Sequence, residues 1–204
     1  MKVGAVILAA GAGSRFGGGK LLAEVGGRPI VRHVIDAAVA AGLDPIVVVV
    51  PPDETLASVD LAPGRAIENP TPQEGLSSSV RLGLRQLDAD ATDPVDAALI
   101  LLGDQPRVRP AVIGALIEAA DRSPRTPFVV ARYGGDGAPN PVLARRSIWR
   151  LADELVGDRG FGPVLATHGE LVRTVRVDGS NPDIDTADDL RRLVEAERPP
   201  GDVS

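Results

Sequence analysis

Arg15 and Lys20 stand in a run of glycines, Gly11, Gly13, Gly17, Gly18 and Gly19, that follows directly on the apolar stretch Val3–Leu8. Glycines let backbone N–H groups approach an anion without interference from a Cβ, and successive amides in such a turn form an anion-binding concavity. A guanidinium suits bidentate contact with phosphate, and an ammonium acts as a mobile point charge. Together they can follow a phosphate whose geometry changes during reaction. A second apolar stretch, Ala97–Leu102, runs into Gly103-Asp104-Gln105-Pro106, and two more carboxylates alternate in Asn181-Pro-Asp183-Ile-Asp185-Thr186. If that last string is extended, Asp183 and Asp185 point to opposite sides, and only one of them can readily face a shared ligand. Two carboxylates completed by phosphate oxygens and waters would satisfy octahedral magnesium.

The loop spacing separates several chemistries. Gly11, Gly13 and Gly17 approach the dinucleotide-binding fingerprint, but no acidic residue ends a second strand about 20 residues on, where a ribose would need one. The next strand ends some forty residues later at Pro51-Pro52-Asp53. A P-loop would need a glycine at position 14 and a Ser or Thr at position 21, which are Ser14 and Leu21. A plain glycine-rich strand-to-helix turn with solvated basic residues is the remaining reading of the loop taken alone.

Strand and helix patterns alternate along the chain, which predicts an open, mainly parallel sheet covered on both faces. Pro29 is placed to open a helix whose apolar face, Ile30, Val34, Ile35, Ala38 and Ala41, ends at Gly42. Strands are expected over 46–50, 65–68, 97–102, 127–131 and 171–177, with a short antiparallel return over 141–143. Helices are expected over 78–87, from Pro110, over 147–155 and 161–167, and after Thr186, where Asp189 stands at the capping-box position. One domain over residues 1–197 is expected, with 198–204 as a frayed tail. His33, near an apolar helical face, reads as packed.

Composition narrows the partners. The formal net charge is −6, with basic residues scattered, so neither a nucleic-acid surface nor a polybasic membrane segment is visible. Aromatic content of 2% is too low for base-stacking platforms. Cysteine is absent, which excludes disulfides and thiol catalysis, and two histidines do not make a zinc set. No apolar run approaches the ~20 residues that span a bilayer, and the start of the chain lacks a signal-peptide pattern, so a cytoplasmic protein acting on small molecules is expected.

Leu8-Ala-Ala-Gly-Ala-Gly-Ser-Arg-Phe-Gly-Gly-Gly-Lys-Leu-Leu22 resembles the signature of the MobA-like nucleotidyltransferases, and later strings resemble the same family. Those are Glu74-Gly75 through Ser79, Arg81 and Gly83; Gly103-Asp-Gln-Pro106; Pro139-Asn140-Pro141-Val142; and Gly157-Asp-Arg-Gly160 with Asp183-Ile-Asp-Thr186. The resemblance implies a three-layer Rossmann-like fold with a mixed, mainly parallel sheet. It also implies transfer of a nucleoside monophosphate from an NTP to a phosphorylated acceptor, with Mg2+ and release of pyrophosphate. It assigns Arg15 and Lys20 to catalysis and Leu8, Ala9, Ala10, Gly11, Gly13, Ser14, Gly75, Ser78, Ser79 and Asp104 to the nucleotide. Asp104 and Asp185 would take the metal, and Asn140 and Arg159 the acceptor.

Gly-Ala-Gly-x-Arg-Phe-Gly and Gly-Asp-Gln-Pro are the forms of the branch that joins CTP to the molybdenum cofactor, which implies a molybdopterin acceptor and a molybdoenzyme or its chaperone as recipient. Asn140 replaces that branch's histidine and Ala144 an aromatic, which leaves the acceptor open. Read without the resemblance, Asp104 serves equally as a turn residue before Pro106, and Asp183 and Asp185 as helix-start residues stabilised by free amides. Gly157–Arg159 serves equally as a plain turn. Use of GTP, and a nucleotide-binding protein that only delivers a cofactor, are the alternatives.

Overall fold

The computed structural model describes residues 1–11, 13, 16–89, 92–134 and 138–197. In chain order it contains β1 (Val3–Leu8), β2 (Glu24–Val25), β3 (Arg28–Pro29), α1 (Ile30–Ala40), β4 (Ile46–Val50), β5 (Arg65–Glu68), α2 (Leu76–Asp88), β6 (Ala97–Leu102), α3 (Pro110–Asp121), β7 (Phe128–Tyr133), β8 (Val142–Arg145), α4 (Gly162–Thr167), β9 (Val172–Val177) and α5 (Ala187–Glu197). Seven strands form one sheet in the order β5-β4-β1-β6-β8-β7-β9, while β2 and β3 pair apart from it. Only β8 is antiparallel, inserted between β6 and β7 with Ala98 opposite Ala144 and Val129 opposite Leu143. The sheet is therefore mixed and mainly parallel, as the alternation of elements predicts.

β1 is buried at every residue, which is what a central parallel strand covered on both faces requires. Its alternate side chains feed two cores. Ala5 and Ile7 join Ile30, Ile35, Ile113 and Leu116 of α1 and α3 on one face. On the other, Val6 and Leu8 join Val80 and Leu84 of α2, with Trp149 and Phe161. The close packing of α2 on β1 depends on Gly83, where an added Cβ would stand 2.2 Å from Val6 Cγ1. α1 stops at Gly42, at φ 75°, with Leu43 N bonded to Ala38 O and Gly42 N to Val39 O, the paired C-terminal bonds that a left-handed glycine permits.

Three expectations need correction. Pro29 does not open α1: it pairs with Glu24 in the β2–β3 hairpin and precedes the helix with ψ 142°. α2 begins at Leu76, two residues before the expected start, because its first amide finds a partner from a distant turn (below). The segment 147–155 is not an α-helix but a 3-10 helix over Arg146–Glu154. The physical reason is legible in its burial: Trp149, Ala152 and Leu155 recur every three residues, the period of a 3-10 helix and not of an α-helix. The expected tail, 198–204, lies outside the described residues. At the start of α5, Thr186 Oγ1 accepts from Asp189 N at 3.2 Å and Asp189 Oδ2 accepts from Thr186 N at 2.8 Å, a reciprocal cap made with aspartate. Asp189 Oδ2 also accepts from Asp185 N at 3.2 Å, so this cap holds the backbone of Asp185.

Gly83→Ala is expected to unfold at lower urea, with a net loss of about 1–2 kcal/mol, because overpacking against Val6 outweighs the gain in helix propensity. The Thr186 hydroxyl and then Arg192 hold the Asp189 carboxyl down at about 2, against an ordinary value of 3.8. A lowered carboxylate contributes stability above its unfolded value and loses it as pH falls through its folded one. The stability gap between the wild type and Asp189→Asn should thus be full at pH 6, narrow below about pH 4 and close near pH 2 in denaturation curves.

Candidate functional site

The carboxyl ends of β1 and β6 bring two loops together. Gly103 N donates to Leu8 O at 2.9 Å, and a Cβ on residue 103 would lie 2.9 Å from that same oxygen, so only glycine lets the two strand ends touch. Asp104 consequently sits beside the glycine loop that leaves β1. A cleft of about 620 Å³ opens here, lined by Leu8, Ala10, Gly11, Gly13 and Lys20 together with Asp104 and Asp185. Gln73, Gly75, Leu76, Ser79 and Asp158 line its other end. Ligands of open α/β sheets occupy this edge.

Lys20 Nζ donates to Asp104 Oδ2 at 2.5 Å and to Asp185 Oδ1 at 3.2 Å. Its side chain is 11% exposed. Burial alone would lower the Lys20 ammonium, but the charge and hydrogen bond of Asp104, joined by Asp185, hold it above its ordinary value. The string that carries Asp185 is drawn in by Ile184, fully buried, whose N donates to Asp104 O at 3.0 Å. On either side of that anchor the two aspartates take different partners. Asp185 turns to Lys20, and Asp183 turns to Gln105, whose Nε2 donates to Asp183 Oδ1 at 2.7 Å. Although part of residue 183 reaches solvent, crowding by protein and the neighbouring charge of Asp104 push its carboxyl above the usual range, against the pull of the Gln105 bond.

Both carboxylates reach one ammonium, which brings their oxygens to the same side of the cleft. The donor set is oxygen only, and no group of three or more His, Cys, Asp or Glu converges among the described residues. That chemistry fits a hard divalent cation that takes its other ligands from phosphates and water.

At the far end of the cleft the helix start is built from distant parts. Leu76 N donates to Asp158 Oδ1 at 3.3 Å and Ser77 Oγ to Gly157 O at 2.7 Å. Gly75, at φ 85°, has Asp158 Oδ1 2.5 Å from where a Cβ would be, so the turn over Gly157–Arg159 seats directly on the helix. The serines are largely internal. Asn69 Nδ2 donates to Ser78 Oγ at 2.8 Å and to Ser79 Oγ at 3.0 Å, and Ser78 Oγ donates back to Gly75 O at 2.8 Å.

Of the residues expected in a site, Leu8, Ala10, Gly11, Gly13, Lys20, Gly75, Ser79, Asp104 and Asp185 line this one cleft. Ala9 and Ser78 are buried beside it but off its lining. Asn140 is also off the lining, its Nδ2 bonded to Gln105 Oε1, and Arg159 is exposed beyond Asp158. Ser14 and Arg15 lie outside the described residues. His33 is structural, its Nε2 bonded to Val25 O at 2.9 Å. Sequence reading missed Asn69, Gln73, Leu76 and Asp158. Only Asp158 carried a signal, as the polar member of a Gly-Asp-x-Gly turn, and its partner stands 82 residues earlier.

Residues 5–172 match the model of the MobA-like NTP transferase domain. The bifunctional enzyme IspD/IspF of Rhodospirillum rubrum is 35% identical over 188 residues, 87% of this chain and 47% of that one. The 3-deoxy-manno-octulosonate cytidylyltransferase of Geobacter metallireducens is 36% identical over 119 residues, 57% of this chain and 44% of that one. The chain spans about half the length, or less, of the curated relatives it matches. Among solved structures, Rv0371c of Mycobacterium tuberculosis superposes with a TM-score of 0.78 at 29% identity, covering 96% of this chain and 98% of that one, and it has also been solved in complex with manganese. Sheet topology, cleft and matched sequence thus agree, and the chain belongs to the MobA-like NTP transferase family.

Proposed function

We propose that this protein transfers CMP from CTP to a phosphorylated acceptor of the molybdopterin class, with release of pyrophosphate, in the presence of a divalent cation, Mg2+. The observation that carries this reading is Lys20 seated between Asp104 and Asp185 in a glycine-lined cleft. An acceptor phosphate oxygen forms a bond to the α-phosphorus while the bond from that phosphorus to the bridging oxygen of the β-phosphate breaks, and pyrophosphate carries the electron pair away. The acceptor phosphate is already ionised near pH 7 and needs no general base. Such chemistry asks the protein for positioning and charge stabilisation, which agrees with a site that offers neither thiol nor imidazole.

The amides around Gly11 and Gly13 and, by resemblance, Arg15 hold the leaving phosphates, and Lys20 neutralises charge on the α-phosphoryl group. Asp104 and Asp185 would hold Mg2+, which when bound supplies positive charge against the phosphate oxygens. Ser79, Gly75 and the Gln73–Leu76 wall receive the nucleoside, while Asn140 and Arg159 are assigned to the acceptor side. Similarity to a cytidylyltransferase and the Gly-Asp-Gln-Pro form support CTP. Similarity to a protein solved with manganese supports a divalent cation.

The test is pyrophosphate release from each of the four NTPs with Mg2+, with and without molybdenum-loaded molybdopterin. Acceptor-dependent release from CTP alone is expected. Release from another NTP keeps the chemistry and moves the base. No release from any, with nucleotides still raising the melting temperature, would favour a delivery protein. In the same assay Asp104→Asn should lose about 100-fold or more in kcat while remaining folded by circular dichroism. Lys20→Ala should lower kcat far more than it raises KM for CTP.

A further inference from the structure

Gln105 is 7% exposed, and it sits where three loops meet. Its Nε2 donates to Asp183 Oδ1 at 2.7 Å, and its Oε1 accepts from Asn181 Nδ2 at 2.9 Å and from Asn140 Nδ2. One planar amide thereby ties the turn after β6, the string Asn181–Asp185 and the loop that enters β8. A glutamine suits this place because it offers a carboxamide oxygen with two lone pairs and an N–H donor on one rigid group. Glutamate would turn an acceptor toward Asp183, and methionine would fill the space without holding anything.

Stability alone does not account for the cluster. Asn181 is 9% exposed and its Oδ1 has no partner among the described residues, so the arrangement leaves a buried polar atom unsatisfied. Well-packed apolar side chains would serve a purely structural contact as well or better. What the amides do that apolar groups cannot is to set the rotation of the 181–185 string. With Ile184 anchored to Asp104 O and Asp183 bonded to Gln105, the backbone that carries Asp185 is fixed at both preceding residues.

We infer that Gln105 is a positioning residue for the cation corner, fixing Asp183 and with it the 181–185 string so that Asp185 stays on Lys20 beside Asp104, and linking that corner to the Asn140 loop. The inference rests on reading Asp104 and Asp185 as the cation ligands. Partners that orient metal ligands typically govern about 10- to 100-fold in metal affinity.

The experiment is Mn2+ binding to the full chain with CTP present, read by electron paramagnetic resonance. CTP binding without divalent cation is measured alongside by calorimetry. Gln105→Met should weaken Mn2+ by about tenfold and Gln105→Glu by more, with CTP affinity in the absence of metal kept within about twofold. Unchanged Mn2+ affinity in a folded Gln105→Met protein overturns the inference, as does a parallel loss of Mn2+ and CTP, which marks a scaffold role only. If Gln105→Met does not fold, Asn181→Ser, which releases one of the amides held by Gln105, must weaken Mn2+ selectively in the same direction or the inference fails. Failure of the underlying reading shows itself elsewhere: the wild type would bind CTP but not Mn2+, or Asp104→Asn would bind Mn2+ as the wild type does.

Discussion

One ammonium group holds the site together. Lys20 draws in Asp104 and Asp185, residues 84 and 165 positions away, from the ends of different elements of the sheet. Both carboxylate oxygens lie within 3.2 Å of a single nitrogen, hence within about 6 Å of each other. Two like charges at that separation repel by about 3 kcal/mol at the effective dielectric of a protein surface. A cation between them turns that repulsion into attraction. The glycine loop from β1, the turn after β6 and the string before α5 are therefore tied to one point of positive charge.

Around that point the fold supplies rigidity by backbone contact. The ladder between β1 and β6 continues past the strands through Gly103 N and Leu8 O, and Ile184 extends it by one more bond to Asp104 O. Side chains at the site are thus displayed on main-chain bonds and not on free loops. The opposite end of the cleft follows the same logic. The first amide of α2 is satisfied by Asp158 from the Gly157–Arg159 turn, so the helix start and the turn hold one another in place. These contacts fix the groups that line the cleft in place.

Much of this was legible in the chain. The order of strands and helices, the antiparallel return at β8, the buried central strands and the end of α1 at Gly42 follow from apolar period and glycine placement. The residues that converge on the cleft were legible wherever chemistry and sequence signal coincide: Lys20 in the glycine loop, Asp104 at a strand end, and the alternating pair Asp183 and Asp185, of which the family resemblance singled out Asp185. Errors arose where local signals compete. Pro29 suits a helix start and equally the last residue of a short strand. The string after β8 has helix-forming residues, yet the three-residue recurrence of Trp149, Ala152 and Leu155 carries the decision.

What the sequence determined by itself was the set of elements and the functional groups at their ends, because periodicity, glycine and proline act within a few residues. Tertiary structure alone decided the partnerships: Asp158 with Leu76, Asn69 with Ser78 and Ser79, and Gln105 with Asn140, Asn181 and Asp183. Ser78, which read as ligand-facing, is turned inward toward Asn69 nine residues before it, while Ser79, held by the same amide, still lines the cleft. A hydrogen bond needs a partner within about 3 Å in space, at any separation along the chain. Which polar group meets which is settled only when the sheet order brings strand ends side by side.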